Sequence, residues 1–233
     1  MFDAIRDAFF LLLSGDPELW KIIWISLKTT TASLMVAAPL AILAGYLIAS
    51  RQFRGRRLLI ALAQVSLSLP TVVIGLLLYL LLSRQGVAGS LQWLFTQNGL
   101  IAGQVLIALP ILLAFTLAAV QASDRRIAET AITLGASPWR VMWTVLHETR
   151  FGVMAALITG FGRVISEVGC AMMVGGNIAG ETRTITTAIA LETSKGEFAQ
   201  GIALGLVLVL LALLINAALM LVQGDAHATG ATR

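Results

Sequence analysis

Two charged side chains lie inside an otherwise apolar stretch, and they are the first candidates for chemistry. Arg163 and Glu167 occur in the sequence GFGRVISEVG at 160–169. A charge is costly at membrane depth and by default marks a functional site. At a spacing of four residues on a helix, the two side chains share one face and neutralise each other. The pair predicts either a structural bridge between helices or a polar contact at a translocation pathway or gate.

Enzymatic chemistry is not indicated elsewhere in the sequence. The chain has no G-x-x-x-x-G-K-[ST] loop, so it cannot itself cradle the phosphates of ATP. His147-Glu148 begins like a zinc-protease motif, but no second histidine follows at the required spacing. The aspartates, at positions 3, 7, 16, 124 and 225, lie outside the apolar runs. We therefore expect no catalytic site, no cofactor and no metal site in this chain.

The composition is that of an integral membrane protein. Of the 233 residues, 58% are hydrophobic and 12% are charged, and the mean hydropathy is +0.90. A membrane span needs roughly 20 apolar residues, and five runs qualify, at about 22–49, 58–82, 100–121, 152–175 and 200–222. The net charge of +4 is spread over the ends of these runs, which does not indicate nucleic acid as a partner. The predicted fold is an all-α integral membrane protein with about five transmembrane helices and lipid around it.

The placement of arginines predicts the orientation in the membrane. The linkers after the first and third spans are rich in arginine, at positions 51, 54, 56 and 57 and at positions 125, 126, 140 and 150. Arginine-rich loops stay cytoplasmic. With an odd number of spans, the N-terminus is then outside and the C-terminus cytoplasmic. The chain divides into an external interfacial segment at 1–21, a membrane domain at 22–222 and a cytoplasmic tail at 223–233.

The segment 123–150 is charged and reads as a broken helix between two apolar runs. Apolar residues recur at helical spacing up to Leu134, and Gly135 then interrupts the pattern. Ser137 is suited to cap a second helix, with Pro138 at its first position, where a missing N–H has no cost. Two short helices joined by a glycine bend, held at the cytoplasmic membrane face, form a projecting surface that another protein can bind.

This segment resembles the EAA loop of binding-protein-dependent ATP-binding-cassette (ABC) importers. Glu129, Ala131 and Gly135 stand at the motif's glutamate, second alanine and glycine positions, and Thr130 replaces its first alanine. The resemblance implies a type I importer permease fold, in which the two short helices dock into a groove on a separate ATPase subunit. It assigns ATPase coupling to seven residues, namely Glu129, Thr130, Ala131, Gly135, Ala136, Ser137 and Pro138.

A narrower resemblance covers most of the membrane domain. Three stretches are similar to permeases of the tungstate-type importer family, which are relatives of the molybdate and sulfate permeases: SLSLPTVVIGLLLYLLLS at 66–83, GFGRVISEVGCAMMVGGNI at 160–178 and TRTITTAIALETSKGEF at 182–198. The resemblance implies a homodimer of this chain in a bacterial or archaeal inner membrane. It also implies two copies of an ATPase subunit, which uses ATP, and an external oxyanion-binding protein.

The function expected from this resemblance is import of an oxyanion, with tungstate as the first candidate. Import of molybdate or sulfate by the same kind of permease remains open. A stand-alone secondary transporter is a further alternative, although the paired repeats around a central site that often accompany such proteins are not evident in the sequence.

Overall fold

The computed structural model describes residues 15–230, with side chains up to residue 217. Its described residues form ten α-helices, one short 3-10 turn at Gly89–Leu91 and no strand. The helices are α1 (Pro17–Ser50), α2 (Arg56–Leu67), α3 (Thr71–Leu82), α4 (Gln97–Ala122), α5 (Arg125–Thr133), α6 (Pro138–Glu148), α7 (Arg150–Ile165), α8 (Gly169–Gly175), α9 (Ile185–Lys195) and α10 (Phe198–Gly230). The all-α prediction is confirmed.

The predicted ends of the chain lie only partly within the described residues. Most of the segment 1–21 falls outside them, and α1 already begins at Pro17. The last three residues of the tail 223–233 are also outside, and α10 extends to Gly230, beyond the predicted end of the membrane domain at residue 222.

Three helices are each long and apolar enough to cross a membrane: α1, α4 and the part of α10 from Phe198 to Ala217. The other two predicted spans are broken. A bend of 101° separates α2 from α3, and a bend of 61° separates α7 from α8. The apolar runs at 58–82 and 152–175 are each divided into two helices, and counting each bent pair as one span gives the five predicted spans.

The first break has a backbone cause. Pro70 has no N–H to donate and disfavours helical geometry at the residue before it, so α2 ends before Pro70 and α3 begins after it. In contrast, α1 and α4 continue through Pro39 and Pro110. These two helices support each other along their length, which is the setting in which prolines are tolerated in membrane helices.

The contact between α1 and α4 is a seam of small side chains. The two helices run in the same direction: Lys28 meets Gln97 near one end, and Gly45 meets Thr116 near the other. A Cβ atom placed on Gly45 would lie 3.0 Å from the Cβ of Thr116, so the backbones approach closely. Ala37 and Ala41 of α1 lie with Ala108 and Leu112 of α4 in one buried cluster.

The short helix α8 is held between α3 and α4 at a second close contact. Cys170 is buried there. A Cβ on Gly75 would lie 2.8 Å from the Cα of Cys170, and a Cβ on Gly103 would lie 2.6 Å from its Sγ. Both glycines lie where α8 approaches closely, and at Gly75 the atom that a Cβ would meet belongs to the backbone.

The segment after α8 folds back against the bundle. Thr184 caps α9 in a reciprocal capping box with Thr187. Ile185 and Ala188 of α9 are fully buried in an apolar cluster with Leu19 of α1 and Leu204 of α10. This cluster joins the beginning of α1 to the last span.

Replacing Gly75 by alanine tests the close contact at α8. The new methyl group would meet backbone, which cannot rotate away, and overpacking of this kind costs about 1–3 kcal/mol of unfolding free energy. We expect Gly75→Ala to lower the melting temperature of the purified protein in detergent. Gly205→Ala is the matched control, since Gly205 also lies in a helix but a Cβ there meets nothing within 4 Å. Equal shifts for the two variants would contradict the contact.

Candidate functional site

The segment 123–150 forms the predicted helix–bend–helix hairpin, made of α5 and α6. Asp124 caps α5, because its Oδ1 accepts a hydrogen bond of 2.9 Å from the backbone N–H of Arg126. The bend is confirmed at Gly135, which has a positive φ of 77°. The N–H groups of Gly135 and Ala136 donate to the carbonyls of Ile132 and Ala131, which is the Schellman ending of a helix. Glycine adopts this left-handed conformation without strain.

The second helix begins as the sequence predicts, with one difference. Ser137 occupies the N-cap position of α6 and Pro138 its first turn. The hydroxyl of Ser137, however, makes no capping hydrogen bond. The start of α6 therefore depends on the fixed φ of Pro138 and not on a side-chain cap.

The residues assigned to coupling lie together on the hairpin and are open to a partner. Glu129, Thr130, Gly135, Ser137 and Pro138 are exposed, and Ala131 and Ala136 are half-buried.

A tryptophan pair on the same hairpin was not among the predicted site residues. Trp139 and Trp143 stack with ring centroids 6.4 Å apart, and they are 67% and 66% exposed. Exposed Leu134 and Ile132 extend this apolar surface. The signal in the sequence was the spacing of two tryptophans by four residues, which places both rings on one face of a helix.

The inner side of the hairpin is anchored in the membrane bundle. Met142 and Val145 of α6 are buried against Tyr46 of α1 and Val120 of α4. At its other end, α6 is joined to α7 through the single residue Thr149. The hairpin is therefore connected directly to the ends of α1 and α4 and to the start of α7.

The far end of α7 carries the predicted charged pair. Arg163 Nη1 lies 2.8 Å from Glu167 Oε2, which confirms the contact. The geometry differs from the prediction of a single helix face, because α7 ends at Ile165 and Glu167 stands in the break before α8. The two side chains also differ in exposure: that of Arg163 is 43% exposed and that of Glu167 is 3% exposed.

Glu167 organises the break between α7 and α8. Its Oε1 accepts a hydrogen bond of 3.0 Å from the backbone N–H of Cys170, in the first turn of α8. Its backbone carbonyl accepts a hydrogen bond of 2.6 Å from the hydroxyl of Thr186. Both carboxylate oxygens and the carbonyl are thus engaged, which a buried charge requires. The guanidinium of Arg163, in contrast, keeps an exposed edge.

A buried polar network connects this break to the first span, and it was not predicted. The hydroxyls of Thr184 and Thr186 lie 3.2 Å apart. Ile185, which lies between them in the sequence, donates its backbone N–H to Ser26 Oγ of α1 at 2.7 Å. The threonine-rich sequence TRTITT at 182–187 was the available signal, but it does not identify the partners: Ser26 is 159 residues from Ile185, and Glu167 is 19 residues from Thr186.

Among residues 15–217, no group of three or more histidine, cysteine, aspartate or glutamate side chains lies close enough to hold a metal ion.

Comparison with known proteins agrees with this arrangement. Residues 37–224 match the family model described as "binding-protein-dependent transport system inner membrane component". The tungstate uptake system permease protein TupB of Campylobacter jejuni is 39% identical over 93% of this chain and 90% of its own length. The molybdenum transport system permease protein ModB of Haemophilus influenzae is 35% identical over 71% of this chain and 76% of its own length.

Solved structures show the same fold. A bacterial alginate ABC transporter, crystallised in complex with an alginate pentasaccharide-bound periplasmic protein, has a chain that superimposes with a TM-score of 0.69. The superposition covers 90% of this chain and 80% of the other, at 19% sequence identity. The resemblance to ABC importer permeases drawn from the sequence motifs is confirmed. This chain, a multi-pass membrane protein, belongs to the family of binding-protein-dependent transport system inner membrane components.

Proposed function

We propose that this chain is the membrane-spanning permease subunit of an ABC importer for tungstate. The observation that carries the proposal is the similarity to a tungstate uptake permease over nine-tenths of both chains. The molybdenum permease matches a smaller share of this chain, which makes molybdate the second candidate. Sulfate is the third, since a sulfate transport permease of Synechocystis is 27% identical over 80% of this chain.

The hairpin of α5 and α6 is the docking element for a separate ATPase subunit. Its seven coupling residues and the stacked Trp139 and Trp143 form an exposed surface whose inner side is fixed to α1 and α4. Exposed aromatic residues of this kind are typical anchors of protein interfaces. The sequence has no phosphate-binding loop of its own, so ATP is bound and hydrolysed by the partner, and this chain needs no cofactor.

The helix α7 connects this docking element to the charged pair. We assign Arg163 to the translocation pathway or gate, because its guanidinium is partly exposed while Glu167 is buried. Glu167 positions Arg163 and maintains the break. An arginine already neutralised by a carboxylate attracts an oxyanion only weakly, which suits a pathway that must release its cargo. Closure of the ATPase subunits then alternates the bundle between two conformations around this point.

The active assembly is a homodimer of this chain. In the described single chain, α2 has no buried residue, and its apolar side chains Leu58, Leu62 and Val65 are all exposed. A second copy, together with lipid, would cover this helix. Two copies also present two hairpins, one for each of two ATPase subunits.

The orientation follows from the arginines of the α1–α2 linker and of the hairpin, which belong on the cytoplasmic side. The N-terminus is then outside, the C-terminus cytoplasmic, and the membrane domain covers about residues 22–222. The external oxyanion-binding protein docks at the opposite end of the bundle, where α1 begins.

Cellular metal content tests the substrate. Deletion of the gene should lower tungsten, measured by mass spectrometry at low external oxyanion, and the same gene on a plasmid should restore it. Loss of tungsten and molybdenum together would point to a shared importer. Unchanged tungsten would contradict the proposed substrate, and uptake that persists without the ATPase subunit would indicate a stand-alone transporter.

Substitution of Gly135 tests the hairpin. Valine in the left-handed conformation is strained by roughly 1–2 kcal/mol, and the strain here would change the angle between α5 and α6. We expect Gly135→Val to weaken ATPase binding in a pull-down by at least about tenfold. Gly196→Val is the control, since Gly196 also has a positive φ, of 83°, and an added Cβ also meets nothing within 4 Å. If both variants bind the ATPase equally, the bend is not required.

A double-mutant cycle tests the charged pair. Removing one partner leaves an unpaired charge, so Arg163→Gln and Glu167→Gln should couple by about 0.5–3 kcal/mol in stability. Glu192 and Lys195 form a matched control pair, with a distance of 3.0 Å and exposures of 6% and 49%. Both pairs should couple in stability, but only Arg163→Gln should change the transport rate of the folded protein. Simple additivity at Arg163 and Glu167, or an equal loss of transport in Lys195→Gln, contradicts the assignment.

A further inference from the structure

A cleft of about 1060 Å³ lies where the ends of α1 and α4 meet the hairpin. Its apolar walls include Leu43 and Leu47 of α1, Val120 of α4 and Met142 of α6. Since α1 and α4 are both candidate membrane spans and both end at this cleft, it lies at the depth of the lipid headgroups.

Three arginines line the polar side of the cleft: Arg51, Arg56 and Arg125. Arg56 is held in place, because its Nε and Nη2 donate to the carbonyls of Ile48 and Ala49 at the end of α1. The side chains of Arg51 and Arg125 make no hydrogen bond or ion pair with residues for which side chains are described.

Two carboxylates also line the cleft, those of Asp124 and Glu129. Asp124 already caps α5 with one of its oxygens. Three arginines against two carboxylates leave the cleft with a positive balance.

An apolar track leads from the bundle surface to this cleft. Val36, Leu40 and Leu43 are exposed on α1, and Leu47 continues the same face into the cleft. Their spacing of four, three and four residues places them in one stripe. At a rise of 1.5 Å per residue the stripe is about 16 Å long, close to half of the ~30 Å hydrocarbon layer. The track therefore has the length of one acyl chain in one leaflet.

We propose that the cleft binds the phosphate headgroup of an anionic phospholipid, with an acyl chain along the track from Leu47 to Val36. Inorganic phosphate would present the same anionic group to the arginines, but the adjoining apolar track of leaflet length favours the lipid. Basic pockets between membrane helices on the cytoplasmic side are known sites for such headgroups. Arg51 belongs to the α1–α2 linker and Arg125 to α5, so a lipid between them ties the hairpin to the end of α1.

Native mass spectrometry of the intact transporter complex tests this site. After exchange into phosphatidylglycerol or phosphatidylcholine with the same acyl chains, the wild type should retain phosphatidylglycerol preferentially. The double variant Arg51→Gln/Arg125→Gln should bind it roughly thirtyfold more weakly. The double variant Arg54→Gln/Arg57→Gln is the control, because it removes the same charge from the same region without altering the lining of the cleft. Equal melting temperatures confirm that both variants are folded.

Three outcomes would overturn the proposal. Equal loss of phosphatidylglycerol in both double variants would mean that binding depends on net charge and not on the cleft. Equal retention of phosphatidylcholine by the wild type would mean that the site does not select anionic lipid. Displacement of the lipid by excess inorganic phosphate would assign the cleft to a soluble anion. None of these results bears on the transported substrate, so the importer function is tested separately.

Discussion

The buried carboxylate of Glu167 is the constraint on which the arrangement of the bundle depends. A charge in this environment is stable only if all of its oxygens are engaged, and its partners lie on both sides of a break. Arg163 holds it from α7, and the backbone N–H of Cys170 holds it from α8. The direction of α8 is thereby set, and Cys170 enters the space left by Gly75 and Gly103. The short helix α8 is therefore held both by a hydrogen bond to Glu167 and by close packing against α3 and α4.

The helix α7 connects this break to the hairpin. One residue separates α7 from the hairpin, and one residue separates it from Glu167, so the proposed ATPase contact and the proposed gate lie at its two ends. The polar network through Thr186 and Ser26 connects the gate end to α1, while Met142 and Tyr46 connect the hairpin end to the same helix. A movement at the hairpin is therefore shared by both helices.

The described arginines that bear on anion binding differ in whether a carboxylate neutralises them. Arg163, which we assign to the pathway, is paired with the buried Glu167, so an oxyanion in contact with it would be bound weakly and released. Arg51 and Arg125 line an apolar cleft with a positive balance, where an anion with an acyl chain is retained. Pairing with a buried carboxylate thus distinguishes the arginine of the proposed pathway from the arginines of the proposed lipid site, although the residue type is the same.

The sequence by itself determined the helical class, the five apolar runs and the hairpin with its bend at Gly135, because these depend on local periodicity and on a backbone conformation that glycine readily adopts. It did not determine whether a run is straight. Pro39 and Pro110 lie within continuous helices, whereas Pro70 lies at a bend of 101°, because only the first two are in helices supported along a neighbour. The hydrogen bond from Cys170 to Glu167 was also decided by tertiary structure, because it depends on the break between α7 and α8. The arginine-lined cleft was decided there too, since it is assembled from segments that are distant in the chain.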